Sequence, residues 1–198
     1  MSVRINEDGE ICLRGEQLFS GYWQNDIATA DAFDSEGYFN TGDLGELLES
    51  GHIVITGRKK DLIVTAGGKN VSPGPLEDKL RAHPLISQAL VVGDGKPFIA
   101  VLIALDEEAM LRWKLDHNFP ENKPRKELVT DPMLRAEVQD AINAANASVS
   151  HAESIKKFYI LDRDLTEEEN ELTPTMKVKR NIVVSRFADE IDWIYRNK

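Results

Sequence analysis

The sequence predicts an α+β fold in which a short β-rich segment precedes a compact α+β domain. Turn-forming residues and short alternating stretches dominate as far as Thr56. The composition changes at Gly57–Asp61, where Arg58, Lys59 and Lys60 follow one another. Beyond it, apolar runs of strand length alternate with helical stripes, over a span of typical domain size. We therefore predict two parts, residues 1–57 and residues 58–198.

The first part reads as strands separated by turns. Alternating residues in Glu10–Gly15 predict a half-buried strand. Leu44–Glu49 and His52–Thr56 predict a hairpin that turns at Ser50–Gly51. The residues before this hairpin are rich in Gly, Asp and Asn, so we expect loops there.

The second part begins with a helix that Pro75 opens and His83–Pro84 closes, because proline fits a first helical turn but cannot continue a helix. Ile86–Val92 and Phe98–Leu105 are apolar runs of strand length. Asp106 is placed to cap the next helix, since its carboxylate can accept the free N–H groups of the first turn.

Four further elements complete the second part. A long helix starts at Asp131–Pro132, and Ile155–Leu161 predicts a strand. The acidic run Glu167–Glu171 predicts a solvated loop. A single final helix is predicted from an apolar face with helical spacing, formed by Val183, Phe187, Ile191 and Ile194.

Charge and composition exclude several classes of protein. The formal net charge of −10 disfavours binding to nucleic acid or to an anionic membrane surface. Cys12 is the single cysteine, which excludes a disulfide within the chain and fits a reducing compartment. Neither a membrane-spanning run nor a signal peptide is evident. We expect a cytoplasmic protein.

The first motif is Tyr38–Leu44, which contains Thr41, Gly42 and Asp43. A carboxylate beside a glycine can accept two hydrogen bonds from a ribose diol, as acidic residues do in other nucleotide sites. A plain turn is the alternative interpretation of this short motif.

The second motif joins Gly57–Ile63 to Gly67–Pro73. Three successive cations can bind an anion, and paired glycines allow the backbone to approach a ligand closely. The alternative is a solvated basic strand followed by a glycine turn.

The third motif is Leu172–Arg180, a segment that contains Pro174, two threonines and Lys177. A lysine on such a loop can place a positive charge on phosphate or carboxylate oxygens. The alternative is an ordinary surface loop.

Together, the three motifs resemble the adenylate-forming superfamily in order and spacing. This superfamily includes acyl-CoA synthetases, luciferases and the adenylation domains of peptide synthetases. Gly9–Gly15 and Gly21–Trp23 resemble its Gly-Glu and Gly-Tyr segments, and the resemblance covers essentially the whole chain. Gly68–Pro73 and Leu172–Asn181 are most similar to the long-chain fatty-acyl branch.

The resemblance implies a role for each motif residue. Asp43 would bind the ribose hydroxyls, and Arg58 would support the same ribose and its phosphate. Lys60 would be the hinge about which the C-terminal domain rotates. Gly67–Gly68 would approach the pantetheine of CoA. Lys177 would contact the α-phosphate and the carboxylate during adenylation.

The sequence departs from the family pattern in two places. Most members have glycine immediately before the catalytic lysine, where this chain has Met176, so Lys179 stays open as the alternative catalytic lysine. The phosphate-binding loop and the adenine motif of the family are absent from these residues. We therefore expect a C-terminal fragment: a small mobile α+β domain preceded by the β-rich end of the N-terminal AMP-binding body.

The function implied is that of an ATP-dependent long-chain fatty-acid–CoA ligase, with this fragment inactive alone. The full-length enzyme would use ATP, CoA and Mg²⁺, and would contact membranes peripherally through its N-terminal part. No metal ligands are expected in this chain. The alternatives are adenylation of another acid, transfer to a carrier-protein thiol, and a non-catalytic binding module.

Overall fold

A computed structural model describes residues 1–196 of the protein. The chain divides into two compact units, Met1–Leu62 and Ile63–Lys198. The predicted boundary after Gly57 precedes this division by five residues, because the last strand of the first unit ends at Arg58 and a 3-10 turn follows at Lys59–Asp61. The boundary at 57/58 itself stays a prediction.

The first unit is a four-stranded antiparallel sheet with one short helix. Its strands pair in chain order, so each is joined to the next as in a meander. Its elements are β1 (Ser2–Ile5), β2 (Glu10–Arg14), α1 (Asp26–Ala32), β3 (Phe39–Leu47) and β4 (Ile53–Arg58).

The residues expected to form loops before the hairpin are partly regular structure. α1 lies among them, and the side chain of Asn25 caps it by accepting the Ala28 N–H at 3.0 Å. β3 also begins earlier than predicted, at Phe39, so that Thr41–Gly42–Asp43 belongs to a strand rather than to a tight turn. Irregular register on both sides of β3 accommodates the glycine within the strand.

The second unit is a three-stranded sheet and a small hairpin, covered by helices. Its elements are β5 (Ile63–Val64), β6 (Asn70–Val71), α2 (Gly74–Arg81), β7 (Ile86–Val92), β8 (Ile99–Leu105), α3 (Glu107–Asp116), α4 (Arg125–Leu128), α5 (Pro132–Asn146), β9 (Ile155–Ile160), α6 (Arg180–Arg186) and α7 (Ala188–Arg196). β5 and β6 form the hairpin. β8 pairs antiparallel with β7 and parallel with β9. Among residues 1–196, no helix combines the length and the apolarity that crossing a membrane requires.

Most of the predicted elements of this unit are confirmed, and so is the α+β class. The cap predicted at Asp106 accepts the Ala109 N–H at 2.8 Å. Asp131 caps α5 by accepting the Met133 N–H at 3.0 Å. Both helices therefore start where the sequence places a carboxylate before an apolar stripe.

The side chains of the β7–β8–β9 sheet alternate between two hydrophobic cores. On one face, Ala89 and Val91 pack with α2 and α5. On the other face, Leu90 and Val92 pack with α6 and α7. β8 is buried along its whole length, as expected of a central strand that is covered on both faces.

Two predictions for the C-terminal residues are wrong. The single final helix is two helices, because Phe187 leaves helical geometry with φ −101° and ψ 31° between α6 and α7. The acidic run 167–171 is not solvated throughout, since Glu171 is 0% exposed. The periodicity predicted which side chains are buried, but not the break between the helices.

Glu171 is buried because arginines and a backbone N–H satisfy its carboxylate. Arg163 donates two hydrogen bonds, at 2.8 and 2.5 Å, and Arg186 donates a third at 3.0 Å. The N–H of Thr166 donates at 3.1 Å. Burial raises the pKa of Glu171, but these hydrogen bonds and the positive charges outweigh it, so the pKa lies below its ordinary value.

Glu171→Gln tests whether this buried charge stabilises the unit. The amide loses the negative charge that both arginines face, so we expect the free energy of unfolding to fall by about 2 kcal/mol near pH 7. This is less than for a fully buried pair, because Arg163 and Arg186 are 39% and 36% exposed and water screens them. Urea unfolding of the chain measures the change.

Lowering the pH should remove the stabilisation that the ionised Glu171 carboxylate provides. A lowered pKa means that ionised Glu171 stabilises the fold above its unfolded-state pKa, and that this stability is lost as the pH falls through the folded-state pKa. The stabilities of the two proteins should therefore begin to converge as the pH falls below about 4.5, and become equal only below the folded-state pKa of Glu171. Glu169→Gln is the control, since Glu169 is 59% exposed and should change stability by less than about 0.5 kcal/mol. Equal losses from the two variants would contradict this account.

Candidate functional site

The first predicted site residues, Asp43 and Arg58, face each other across paired strands. They are register partners of β3 and β4, and Arg58 Nε donates to Asp43 Oδ1 at 2.6 Å. The Asp43 side chain remains 27% exposed, so a ligand can reach the carboxylate. The pair thus combines an acceptor for a diol with a cation fixed beside it.

Glu10 holds the backbone that leads to Asp43. Its Oε1 accepts the Gly42 N–H at 2.9 Å, although the residue is only 6% exposed. Gly42 has φ +71°, a left-handed conformation that costs glycine little. Thr41 adds a second attachment, since its hydroxyl donates to the Ile11 carbonyl at 2.7 Å and accepts the Asp43 N–H at 3.0 Å.

The basic residues of the second motif have different surroundings. Lys59 donates to Glu10 Oε2 at 2.8 Å and pairs with Asp8 Oδ2 at 2.7 Å. These two carboxylates raise the pKa of Lys59 above its ordinary value. Lys60, the predicted hinge, is exposed in the 3-10 turn at the end of the first unit. The three cations therefore do not form one anion site: Arg58 and Lys59 are engaged by separate carboxylates.

Gly67 and Gly68 lie in the turn between β5 and β6, which we call the glycine hairpin (residues 63–71). Gly68 adopts φ +76°, and a Cβ atom there would have no neighbour within 4 Å. The Gly68 N–H donates to the Thr65 carbonyl at 2.8 Å, which closes the turn. Both glycines are exposed, so the open backbone is available to a narrow ligand.

Lys177 lies near the tip of a second loop, which we call the Lys177 loop (residues 172–178). A bridge between Leu172 and Val178 closes its base. Within it, Thr173 N–H donates to the Lys177 carbonyl at 2.9 Å, and Lys177 N–H donates to Thr173 Oγ1 at 3.1 Å. The Lys177 side chain is exposed, and among residues 1–196 no hydrogen bond or ion pair engages its ammonium.

Met176, which directly precedes Lys177, has a backbone conformation typical of glycine. Its φ is +60°, in the left-handed region that side chains disfavour and glycine adopts freely. This backbone geometry fits the register that makes Lys177 the residue after the family's glycine position. Lys179, the alternative, is half-buried, and its ammonium donates to the Asn170 side chain.

The residue after Lys179 fixes the start of α6. Arg180 donates to the Val91 carbonyl at 2.7 Å and to Glu77 Oε1 at 2.6 Å. The same Glu77 oxygen accepts the Val91 N–H at 2.8 Å. Neither Glu77 nor Glu10 was assigned a role from the sequence, although Glu10 stands in the Gly-Glu segment that carries part of the family resemblance.

The glycine hairpin and the Lys177 loop lie on opposite faces of the β7–β8–β9 sheet. Ile63 and Val71 of the hairpin belong to the core with α2 and α5. Leu172 and Val178, which flank the Lys177 loop, pack into the core with α6 and α7. The bases of the two loops are therefore anchored in different cores, on opposite faces of this sheet.

The acidic and histidine side chains of residues 1–196 do not form a metal cluster. Among residues 1–196, no three His, Cys, Asp or Glu side chains are grouped so that they could hold a metal ion. Two carboxylates at the first motif, those of Asp43 and Glu10, are already paired with Arg58 and Lys59.

Comparison with known proteins confirms the predicted resemblance to the adenylate-forming superfamily. A model of the AMP-binding enzyme C-terminal domain family matches residues 60–198. The long-chain-fatty-acid–CoA ligase FadD15 of Mycobacterium tuberculosis is 56% identical over 197 residues, which is 100% of this chain and 33% of that protein. The long-chain-fatty-acid–CoA ligase ACSBG2 of Homo sapiens is 36% identical over 214 residues, 98% of this chain and 32% of that protein.

The chain thus spans about a third of the length of the curated relatives that it matches. A solved structure, the adenylation domain of a carboxylate reductase from Mycobacterium chelonae, resembles it with a TM-score of 0.75 at 23% identity. The match covers 96% of this chain and 28% of that one, and it establishes the fold.

The backbone of Met176 gives a prediction about stability. Met176→Gly relieves the strain of a side chain in the left-handed region, which should stabilise the folded state by about 1–2 kcal/mol. This gain offsets the stability that glycine loses by making the unfolded chain more flexible. We therefore expect no loss in the free energy of unfolding, measured by urea titration. Leu111→Gly is the control, because Leu111 is similarly exposed but lies inside α3, where glycine should cost about 0.5–1 kcal/mol. Equal destabilisation by both variants would contradict the assigned loop geometry.

Proposed function

Because this chain belongs to the AMP-binding enzyme C-terminal domain family, we propose that it is the C-terminal part of a long-chain fatty-acid–CoA ligase. The observation that carries the proposal is the placement of the Lys177 loop and the glycine hairpin on opposite faces of one sheet. A reaction with two chemically different steps can use two such surfaces, one for each step. The fatty-acid class follows the names of the relatives.

In the first step, the Lys177 loop would serve acyl-adenylate formation. A carboxylate oxygen of the fatty acid attacks the α-phosphorus of ATP, a new P–O bond forms, and pyrophosphate leaves. Negatively charged groups must approach one another, so a positioned ammonium lowers the barrier by stabilising charge in the transition state. Lys177 is exposed and unpaired among the described residues, which suits that role.

Asp43 and Arg58 would hold the nucleotide through both steps. Asp43 has an accessible carboxylate for the two ribose hydroxyls, and Arg58 fixes the orientation of that carboxylate at 2.6 Å. Glu10 would maintain the strand backbone before Asp43 through the Gly42 N–H. A charge-assisted pair of this kind positions a ligand better than a free surface carboxylate does.

In the second step, the glycine hairpin would serve thioester formation. The CoA thiolate attacks the carbonyl carbon of the acyl-adenylate, a C–S bond forms, and AMP leaves. Gly67 and Gly68 are exposed and carry no side chain that would block the slender pantetheine arm. Lys60 would be the pivot that exchanges one surface for the other. The Mg²⁺ that accompanies ATP is assigned to no residue of this chain.

A chimera tests the proposal directly. The matching C-terminal third of the M. tuberculosis relative is replaced by this chain, and acyl-CoA is measured with ATP, Mg²⁺, palmitate and CoA. We expect turnover within about tenfold of the intact relative, because the motif residues are supplied by this chain. The chain by itself should form no acyl-CoA.

Two results would overturn the proposal. One is a chimera no more active than the relative lacking its C-terminal third. The other is a chimera that forms acyl-adenylate but transfers the acyl group only to a carrier-protein thiol and not to CoA. The second result would favour the carrier-protein alternative.

A further inference from the structure

Gln88 lies beneath the Lys177 loop. It belongs to β7, it is 8% exposed, and it points to the same face of the sheet as Leu90 and Val92. Its Nε2 donates to the Met176 carbonyl at 3.4 Å. Met176 directly precedes Lys177, so this amide joins the sheet to the backbone from which Lys177 projects.

Among residues 1–196, the oxygen of the Gln88 amide has no hydrogen-bond partner. A carbonyl can only accept, so the Met176 oxygen requires the Nε2 end of the amide to face the loop. Gln88 Oε1 is then buried, and it has no hydrogen-bond partner within the part of the chain that the structure describes. An unsatisfied buried oxygen lowers stability, and an apolar side chain of the same shape would avoid that cost.

The remaining attachments of the loop hold its ends and its internal turn. The Leu172–Val178 bridge closes the base, and Thr173 bonds to Lys177 within the loop. Gln88 supplies a contact from the sheet to the residue before the lysine.

We propose that Gln88 is a positioning residue for Lys177. Its amide contacts the Met176 carbonyl and so guides the direction in which Lys177 leaves the loop. At 3.4 Å the contact is longer than the usual range of about 2.7–3.2 Å, so it guides the loop without locking it. The inference rests on the proposed function, in which Lys177 acts in acyl-adenylate formation.

The Gln88→Met variant tests whether Gln88 positions Lys177 or only stabilises the fold. Methionine is unbranched and similar in length, but it removes both the donor and the unsatisfied oxygen. In the chimera, we expect acyl-adenylate formation to slow by about fivefold to tenfold, because the loop loses its guide. Conversion of supplied acyl-adenylate to acyl-CoA should be unchanged, since it uses the opposite face. The melting temperature of the chain should stay equal or rise.

Ser87→Ala is the matched control. Ser87 neighbours Gln88 on β7, but its hydroxyl donates to Asp164 at 2.7 Å instead of to the loop. This variant should lower the melting temperature and leave the ratio of the two half-reactions unchanged. Unchanged acyl-adenylate formation in Gln88→Met would overturn the inference. So would an equal loss of both half-reactions together with a lower melting temperature, since that pattern indicates a structural role.

Amide hydrogen exchange in the chain itself distinguishes failure of this inference from failure of the proposed function. In Gln88→Met, the Met176 and Lys177 amides, which are bonded to Thr173, should exchange several-fold faster. The Gly68 amide in the glycine hairpin should not change. If the parent chimera forms no acyl-adenylate, the proposed function fails, and faster exchange still supports the Gln88 contact. Unchanged exchange refutes that contact whatever the chimera does.

Discussion

The backbone of Val91 is held by side chains from both faces of the sheet, and the geometry of the second unit depends on this contact. Val91 lies in the edge strand β7, and its N–H and C=O bond to Glu77 of α2 and Arg180 of α6. The two side chains also pair with each other at 2.6 Å. An edge that would otherwise expose backbone groups is thereby closed. α2 follows the glycine hairpin and α6 follows the Lys177 loop, so the contact fixes the two loops relative to each other.

The sequence predicted those elements whose signals are local. Asp106 and Asp131 cap helices because the carboxylate and the N–H it accepts are two or three residues apart. Glu171 was misjudged because its burial requires Arg163 and Arg186, which are 8 and 15 residues away. The packing of α6 and of the segment before it brings these two arginines to Glu171. The composition of an acidic run carries no information about that packing. The break at Phe187 is likewise a property of packing.

In the candidate site, too, local motifs were predictable from the sequence and long-range contacts were not. The motif around Asp43 could be recognised from its residues, but its pairing with Arg58 depends on the register of β3 and β4. The contacts of Glu10 and Gln88 were not foreseeable, because each side chain bonds to a backbone group that is distant in sequence. The left-handed conformation of Met176 was likewise not foreseeable, because methionine gives no signal for a positive φ.

The central claim is that the two loops serve different half-reactions from opposite faces of one sheet. The most direct measurement compares Lys177→Ala with Gly68→Val in the chimera, for acyl-adenylate formation and for thioester formation from supplied acyl-adenylate. We predict that Lys177→Ala slows only the first by about a hundredfold. Gly68→Val, which forces a β-branched residue into φ +76°, should slow only the second by about tenfold or more. Loss of both half-reactions to the same extent in each variant would contradict the account.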